Sequence, residues 1–425
     1  MLVTTWPEGL REATPIWWPN PRALSAAEAI CRCGMEASRV AEAIAAWQRY
    51  RPLIQRIFPE TAADGGAMIS EFVHVAGIEA DIGLDHQKVF AKCDHALKAT
   101  GSIKARGGVF EVLQFAEGVA LKNGLVALND NLSVLADPAA RSFFSTLRLL
   151  VGSTGNLGFS VGLAGRRLGF EVEVHMSRDA KEWKKNRLND LGAQVVEHGD
   201  DYSKAVAAAR EAAATQAKSH FIDDEHSLAL FMGYSAAATE LAEQLRQANV
   251  VVDMNHPLVV YLPCGVGGAP GGIAFGLKLI FGDAVSCIFV EPVASPCMLV
   301  QLASGSDSPF NIYDCGLDNH TAADGLAVAQ ASMLVARAMN YLLDGIATVD
   351  DDSLYIWAER AWRSAGLRLE PSAAAGFAAL ATHGQAIAKL CGGKSVTNVV
   401  WTTGGAFLPD TEFNAVQERG RNVQR

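Results

Sequence analysis

Between positions 26 and 50 the chain is rich in alanine, and Ile30, Met35, Val40, Ile44 and Trp47 fall at helical spacing along it. A helix with one buried stripe produces that pattern, so the segment is expected to be helical. After Lys104 the pattern changes. Short apolar runs recur at 125–128, 149–151, 172–174, 195–196, 221–222, 258–262, 287–290 and 398–401. Amphipathic, Ala-rich stretches such as 203–216 and 234–247 separate several of them. Strands alternating with helices in this way build βαβ units, and unbroken apolar runs suit strands covered on both faces. The expected class is α/β, with mostly parallel twisted sheets and helices on both faces.

A parallel sheet gathers its functional loops at the carboxyl ends of its strands. Three loops there are dense in glycine. They are Gly152-Ser153-Thr154-Gly155-Asn156-Leu157-Gly158, Cys264-Gly265-Val266-Gly267-Gly268-Ala269-Pro270-Gly271-Gly272 and Thr402-Thr403-Gly404-Gly405. Residues without a Cβ let backbone N–H groups close on an anion, and a helix N-terminus adds a favourable field. The dinucleotide and NTP fingerprints fit poorly. The third glycine of a dinucleotide turn begun at Gly265 would fall on Pro270, and the first glycine of a phosphate loop ending in Gly393-Lys394-Ser395 would fall on Ala388. Gly392-Gly393 reads instead as a turn before the strand at Val399. What remains is a site for a phosphorylated small molecule.

Composition narrows the class further. The chain has 425 residues, is half hydrophobic and carries a net charge of -10. That is enough for two domains, and no basic stripe is present for nucleic acid or an anionic membrane. No segment reaches the roughly 18 consecutive apolar residues of a membrane span, and residues 1–18 have no apolar core of signal-peptide type. The cysteines (Cys31, Cys33, Cys93, Cys264, Cys287, Cys297, Cys315, Cys391) form no CxxC and no zinc spacing. Free thiols in a reducing cytoplasm are expected.

One lysine is singled out by its setting. Lys104 lies in Thr100-Gly101-Ser102-Ile103-Lys104-Ala105-Arg106-Gly107-Gly108, in the first turn of a helix that continues through Val109, Phe110, Val112 and Leu113. A cation at a helix N-terminus is electrostatically misplaced, and its small neighbours leave room around its stem. It reads either as a solvated loop lysine or as an amine made nucleophilic by its surroundings, of the kind that forms Schiff bases.

The segment Ser102-Ile103-Lys104-Ala105-Arg106-Gly107 resembles the cofactor-lysine segment of fold-type II pyridoxal-phosphate (PLP) enzymes, the serine/threonine dehydratase superfamily. Residues 152–158 resemble their asparagine loop, and 265–272 their glycine-rich phosphate loop. Phe58-Pro59-Glu60-Thr61-Ala62, Val174-His175-Met176-Ser177, Phe221-Ile222-Asp223-Asp224-Glu225, residues 318–328 and Leu369-Glu370-Pro371-Ser372 are similar, in order, to the bacterial members that act on D-serine. Ala269 and Ala406 depart from the family pattern, which has glycine at both places. Alanine fits there only where φ is negative.

The resemblance implies a two-domain, tryptophan synthase β-like fold. Residues 1–114 and 232–425 would form a large PLP-binding domain and 115–231 a small one with the asparagine loop, the cofactor lying in the cleft between. It implies a lyase that removes water from D-serine to give pyruvate and ammonia. Lys104 would tether PLP as a Schiff base and serve as base for the Cα proton. Asn156 would hold the cofactor's 3′-oxygen, Gly265, Val266, Gly267 and Gly268 its phosphate, and Thr403 would face the pyridine nitrogen. Ser153, Thr154 and Gly155 would receive the substrate carboxylate, Asp324 would lie near the site, and Glu291 would be a ligand for a monovalent cation such as K+. The family also allows a monomer. Rival readings are dehydration of L-serine, L-threonine or D-threonine, amino-acid racemisation on the same fold, and, from another class, a non-catalytic binder of phosphorylated metabolites.

Overall fold

The computed structural model describes residues 6–83, 87–153, 155–178, 180–199, 202–216 and 218–424. Its strands are β1 (Trp17–Pro19), β2 (Phe72–His74), β3 (Lys88–Cys93), β4 (Arg148–Gly152), β5 (Glu171–Ser177), β6 (Gln194–His198), β7 (Ser219–Ile222), β8 (Leu258–Pro263), β9 (Val285–Pro292), β10 (Gly345–Val349) and β11 (Thr397–Thr402). They form a seven-stranded sheet of order β1-β10-β9-β8-β11-β3-β2 and a four-stranded sheet of order β6-β5-β4-β7. Among the described strands only β1 with β10 and β2 with β3 pair antiparallel, at the two edges of the larger sheet. The expected α/β class with mostly parallel sheets is what the chain adopts.

The chain divides into two compact units. One comprises Met1–Ala37, Ser70–Ala96 and Ser235–Arg425 and holds the larger sheet; the other comprises Ser38–Ile69 and Leu97–Tyr234 and holds the smaller. These boundaries differ from the expected ones. Residues 38–69 and 97–114 belong with the smaller sheet, so Lys104 shares a unit with Asn156. Packing explains the placement. Gly108 lies so close to the helix Asn156–Leu168 that a Cβ on it would sit 3.0 Å from Leu157 Cδ1. From the helix Ser38–Ile57, Arg49 and Tyr50 both bind the Glu117 carboxylate, at 2.7 Å each.

Each sheet is buried as its apolar runs require. In the larger one every residue of β8 is buried, and Val259, Tyr261, Ile288, Val290, Ala347 and Val400 share a core with Ala374, Ala375 and Ala378 of the helix Pro371–Ala388. Alanines there let the helix backbone approach the sheet closely. In the smaller one Leu149, Leu150, Val151 and Val174 are fully buried. Fully burying a Val or Leu side chain contributes about 1.5–3 kcal/mol.

Two expected elements turn out otherwise. The apolar run 125–128 is no strand: Leu128 is 73% exposed, and the Asp130 carboxylate takes the Ala127 N–H at 2.7 Å in a turn beyond the helix Phe110–Lys122. The single helix expected over 26–50 is two, Ala26–Arg32 and Ser38–Ile57, separated by Gly34 at φ 73°.

Candidate active site

In the unit of the smaller sheet, Lys104 opens a wide helical turn, Ala105–Val109, in which Gly108 N–H donates to Lys104 C=O at 2.7 Å. It is not a solvated lysine. Its Nζ donates to Asp224 Oδ2 at 2.8 Å, and the side chains are 22% and 9% exposed. Asp224 Oδ1 is buried with no partner.

The turn that presents Asp224 is tied down on both sides. Arg210 Nε donates to Asp223 Oδ2 at 2.9 Å and its Nη2 to Glu225 Oε2 at 2.9 Å. Of three consecutive carboxylates, the outer two thus share a guanidinium and the middle one faces Lys104. Beyond them Glu111 accepts from Ser227 Oγ at 2.5 Å and pairs with His220 Nε2 at 3.1 Å. Tyr234 packs on Gly107 so tightly that a Cβ there would lie 2.4 Å from its ring. Burial, together with Asp224 and Glu111, holds the Tyr234 phenol well above its ordinary range.

In the same unit Ser153 directly follows β4. Its N–H donates to His175 C=O at 3.0 Å, and its Oγ accepts from Gly155 N–H at 3.1 Å and Gly158 N–H at 2.9 Å. The hydroxyl therefore sets the shape of the loop by satisfying N–H groups at the start of the helix Asn156–Leu168. Asn156 is its half-buried first residue. Thr154 lies outside the described residues.

The remaining expected residues belong to the other unit. Gly265, Val266, Gly267 and Gly268 join β8 to the helix Gly268–Phe281. Gly267 has φ 109°, and a Cβ on it would meet Met298 Cε at 2.6 Å, so any other residue there is strained. No side chain caps this helix, and an uncapped helix start offers backbone N–H groups to an anion. Gly325, which follows Asp324, is brought to the loop: a Cβ on Gly265 would lie 3.2 Å from Gly325 C=O.

One stretch braces two of these loops. Gly325 N–H donates to Ser372 Oγ at 3.1 Å, and Glu370 N–H to Gly404 C=O at 3.2 Å. Thr403, 8% exposed, directly follows β11. The neighbouring Thr402 Oγ1 donates to Lys92 C=O at 2.9 Å and meets His95 Nδ1 at 2.7 Å. Burial pushes the His95 imidazole down to about 4, so it is neutral at pH 7. Both departures from the family pattern are accommodated: Ala269 is helical and Ala406 has no positive φ.

Glu291 is fully buried at the end of β9. Its two oxygens accept from Met298 N–H at 2.7 Å and Leu299 N–H at 2.9 Å. Burial pushes this carboxyl up to about 8. Its two bonds satisfy N–H groups at the start of the helix Cys297–Ser304. Among the described residues no group of three or more His, Cys, Asp or Glu side chains is placed to hold a metal ion.

Sequence reading placed Lys104, the asparagine loop and the glycine loops correctly at strand ends or helix starts. It missed Asp224, Arg210, Glu111 and Tyr234 around Lys104, and Ser372 beside Gly325. A signal existed for two of them, since 221–225 and 369–372 carried the family resemblance, but neither stretch revealed its partner.

Residues 69–401 match the family model described as "Pyridoxal-phosphate dependent enzyme". A protein of Pseudomonas aeruginosa (strain PAO1) named "Probable D-serine dehydratase" is 49% identical over 425 residues, covering 96% of this chain and 94% of the relative. One of the same name from Carboxydothermus hydrogenoformans is 45% identical, covering 97% of each. Among solved structures, holo diaminopropionate ammonia lyase from Escherichia coli superposes with a TM-score of 0.76 at 17% identity, over 96% of this chain and 97% of that one. The fold is therefore that of fold-type II PLP enzymes. With residues 69–401 matched to the family and relatives alike over most of their length, the chain belongs to the family of pyridoxal-phosphate dependent enzymes.

Proposed function

We propose that this protein dehydrates D-serine to pyruvate and ammonia, with PLP carried on Lys104. The observation that carries the reading is the Lys104–Asp224 pair, a largely buried amine held by a single carboxylate at the head of a glycine-flanked turn. The choice of D-serine rests on the relatives' names and on the ordered stretches that this chain shares with them.

The residues present fit the cofactor. The helix Gly268–Phe281 has no side-chain cap and offers N–H groups to a phosphate, and Asp224 keeps one buried oxygen unpartnered next to the amine. Bound PLP supplies the electron sink for charge left at Cα when its proton departs. Lys104 would tether the cofactor and then, as the free amine, hold the Cα proton at Nζ. Asp224, 2.8 Å away, stabilises the ammonium that results.

Ser153 Oγ already accepts two N–H bonds, so its own proton is left to donate to the substrate carboxylate together with the Gly155 region of the loop. Thr154 completes that loop in the sequence. Asn156 would hold the cofactor's 3′-oxygen, Gly265 to Gly268 the phosphate, and Thr403 the pyridine nitrogen. Asp324 would close on the phosphate loop through Gly325. A neutral hydroxyl at the pyridine nitrogen leaves the ring uncharged, which favours elimination over transamination.

A monovalent cation, K+ in the first instance, is assigned near Glu291. Eight free thiols, seven of them buried, suit a reducing cytoplasm. Among the described residues no helix is long and apolar enough to cross a membrane. We take the chain to act as a monomer.

The test is pyruvate release from D- and L-serine in parallel, with and without K+. D-Serine should be the substrate. Preference for L-serine would transfer the protein to the L-dehydratases, and interconversion without pyruvate would make it a racemase. Lys104→Ala should remove both turnover and the visible absorbance of bound PLP. Protein that stays colourless on addition of PLP would refute the cofactor assignment.

A further inference from the structure

The turn that follows β3 grips the loop that follows β11. The two strands run parallel, with Cys93 beside Thr402, so their carboxyl ends lie side by side in the unit of the larger sheet. Asp94–Ala96 is a tight helical turn directly after β3. From it, Asp94 Oδ2 accepts the Trp401 indole N–H at 2.7 Å, and His95 Nδ1 meets Thr402 Oγ1 at 2.7 Å. His95 C=O also accepts Ala406 N–H at 3.3 Å. The loop is braced from the other side as well. Glu370 N–H donates to Gly404 C=O, and a Cβ on Gly405, at φ 133°, would lie 2.4 Å from Glu370 N. Thr403 stands between the braces, and its hydroxyl is engaged by neither.

The bonds of Thr402 fix the proton on His95. Thr402 Oγ1 lies 2.9 Å from Lys92 C=O, and a carbonyl can only accept, so the single hydroxyl proton goes there. Lys92 is itself anchored: its side chain is fully buried, donating to Ser70 C=O at 3.0 Å and pairing with Glu240. Toward His95 the Thr402 hydroxyl is left as an acceptor, so Nδ1 is the nitrogen that carries hydrogen. Burial, which pushes His95 down to about 4, keeps the ring uncharged at pH 7, and Nε2 then has no proton.

Holding Thr402 also orients Thr403, because successive side chains of an extended strand point to opposite faces. With Thr402 tied to Lys92 and His95, the next side chain leaves the strand end on the other face. Removing the Nδ1–H would leave Thr402 with one tether and a buried oxygen short of a donor.

We infer that His95 is a positioning residue for the cofactor: its Nδ1–H, given to Thr402, fixes the direction in which Thr403 presents its hydroxyl to the pyridine nitrogen. The inference rests on the place proposed above for Thr403 and deepens it, since His95 acts through Thr402.

The test uses protein loaded with PLP that carries an NMR-active nitrogen isotope in its ring, whose resonance reports the hydrogen bond made there. Thr403→Val supplies the reference for a ring nitrogen without its hydroxyl. His95→Asn keeps a donor near the Nδ1 position, whereas His95→Gln, equally polar, carries its amide further out, where Nε2 stood. His95→Gln should move the resonance toward that of Thr403→Val and weaken PLP about 3- to 10-fold in an absorbance titration, as loss of one hydrogen bond does. His95→Asn should keep the wild-type resonance and bind PLP within about twofold of wild type. Combining His95→Gln with Thr403→Val should move the resonance no further than Thr403→Val alone, because both changes remove one interaction. Should His95→Gln fail to fold, Thr402→Val breaks the same link from its other end and should give the same shift. A wild-type resonance in His95→Gln or Thr402→Val, or equal shifts in the Asn and Gln variants, overturns the assignment of His95 and leaves the proposed reaction standing. An unmoved resonance in Thr403→Val overturns the place of Thr403 at the ring, and the inference with it.

Discussion

Replacing Asp224 by asparagine keeps the shape of the side chain and removes its charge, which isolates what that charge does for Lys104. The bond is 2.8 Å long and the carboxylate is only 9% exposed, a setting in which a charged hydrogen bond contributes about 1.5–3 kcal/mol. Lys104 is 22% exposed, so water screens part of the interaction and the lower end applies, about 1.5–2 kcal/mol. If that stabilisation acts on Nζ while it holds the Cα proton, Asp224→Asn should lower kcat about 10- to 30-fold. The assay is steady-state pyruvate release at saturating D-serine, with PLP content followed by visible absorbance. PLP should remain bound, because the asparagine oxygen can still face Lys104. Turnover within about twofold of wild type would refute the argument that this ion pair serves the reaction. Loss of PLP with intact folding would mean that Asp224 holds the cofactor rather than charging the amine.

Other residues give equally direct expectations. Ser153→Ala leaves the Gly155 and Gly158 N–H groups without their acceptor, at a cost of about 1–3 kcal/mol each, so KM for D-serine should rise at least about tenfold; an unchanged KM would remove Ser153 from carboxylate binding. Gly267→Ala puts a Cβ into the left-handed region and 2.6 Å from Met298 Cε. The strain of about 1–2 kcal/mol should weaken PLP about 5- to 30-fold in an absorbance titration, and wild-type affinity would show that the loop does not cradle the phosphate. His95 makes stability depend on pH. An unfolded histidine takes up a proton below about 6.5, whereas buried His95 resists protonation down to about 4. The unfolded state therefore binds more protons in that window, and stability falls as pH drops from 6.5 towards 4, by at most about 3 kcal/mol. Thermal unfolding followed across this range should show a shallower acid loss in His95→Asn than in wild type; equal slopes would exclude His95 as the cause.

The family of this protein and most of its strands were legible in its sequence, because both are written locally. A buried parallel strand needs an apolar run, a phosphate loop needs residues without a Cβ at a helix start, and a tethering lysine needs room around its stem. Runs 149–151, 258–262 and 398–401 became β4, β8 and β11 for that reason. Local pattern misleads where burial is settled elsewhere. The run 125–128 was apolar but had no sheet to join, and the helical stripe over 26–50 ran through Gly34, which breaks it. What only the tertiary structure decided is who faces whom. Asp224 reaches Lys104 across 120 positions of chain. Arg210 decides which of three adjacent carboxylates is left to do so, and Lys184 rather than Lys185 turns to Gly155. Nothing in residue spacing encodes these choices, because they depend on how separate helices and strands pack and on which charges that packing leaves without solvent. Glu291 makes the same point from the other side. Its position at a strand end gave no sign that the backbone of a helix beginning only a few residues later would donate to both of its oxygens.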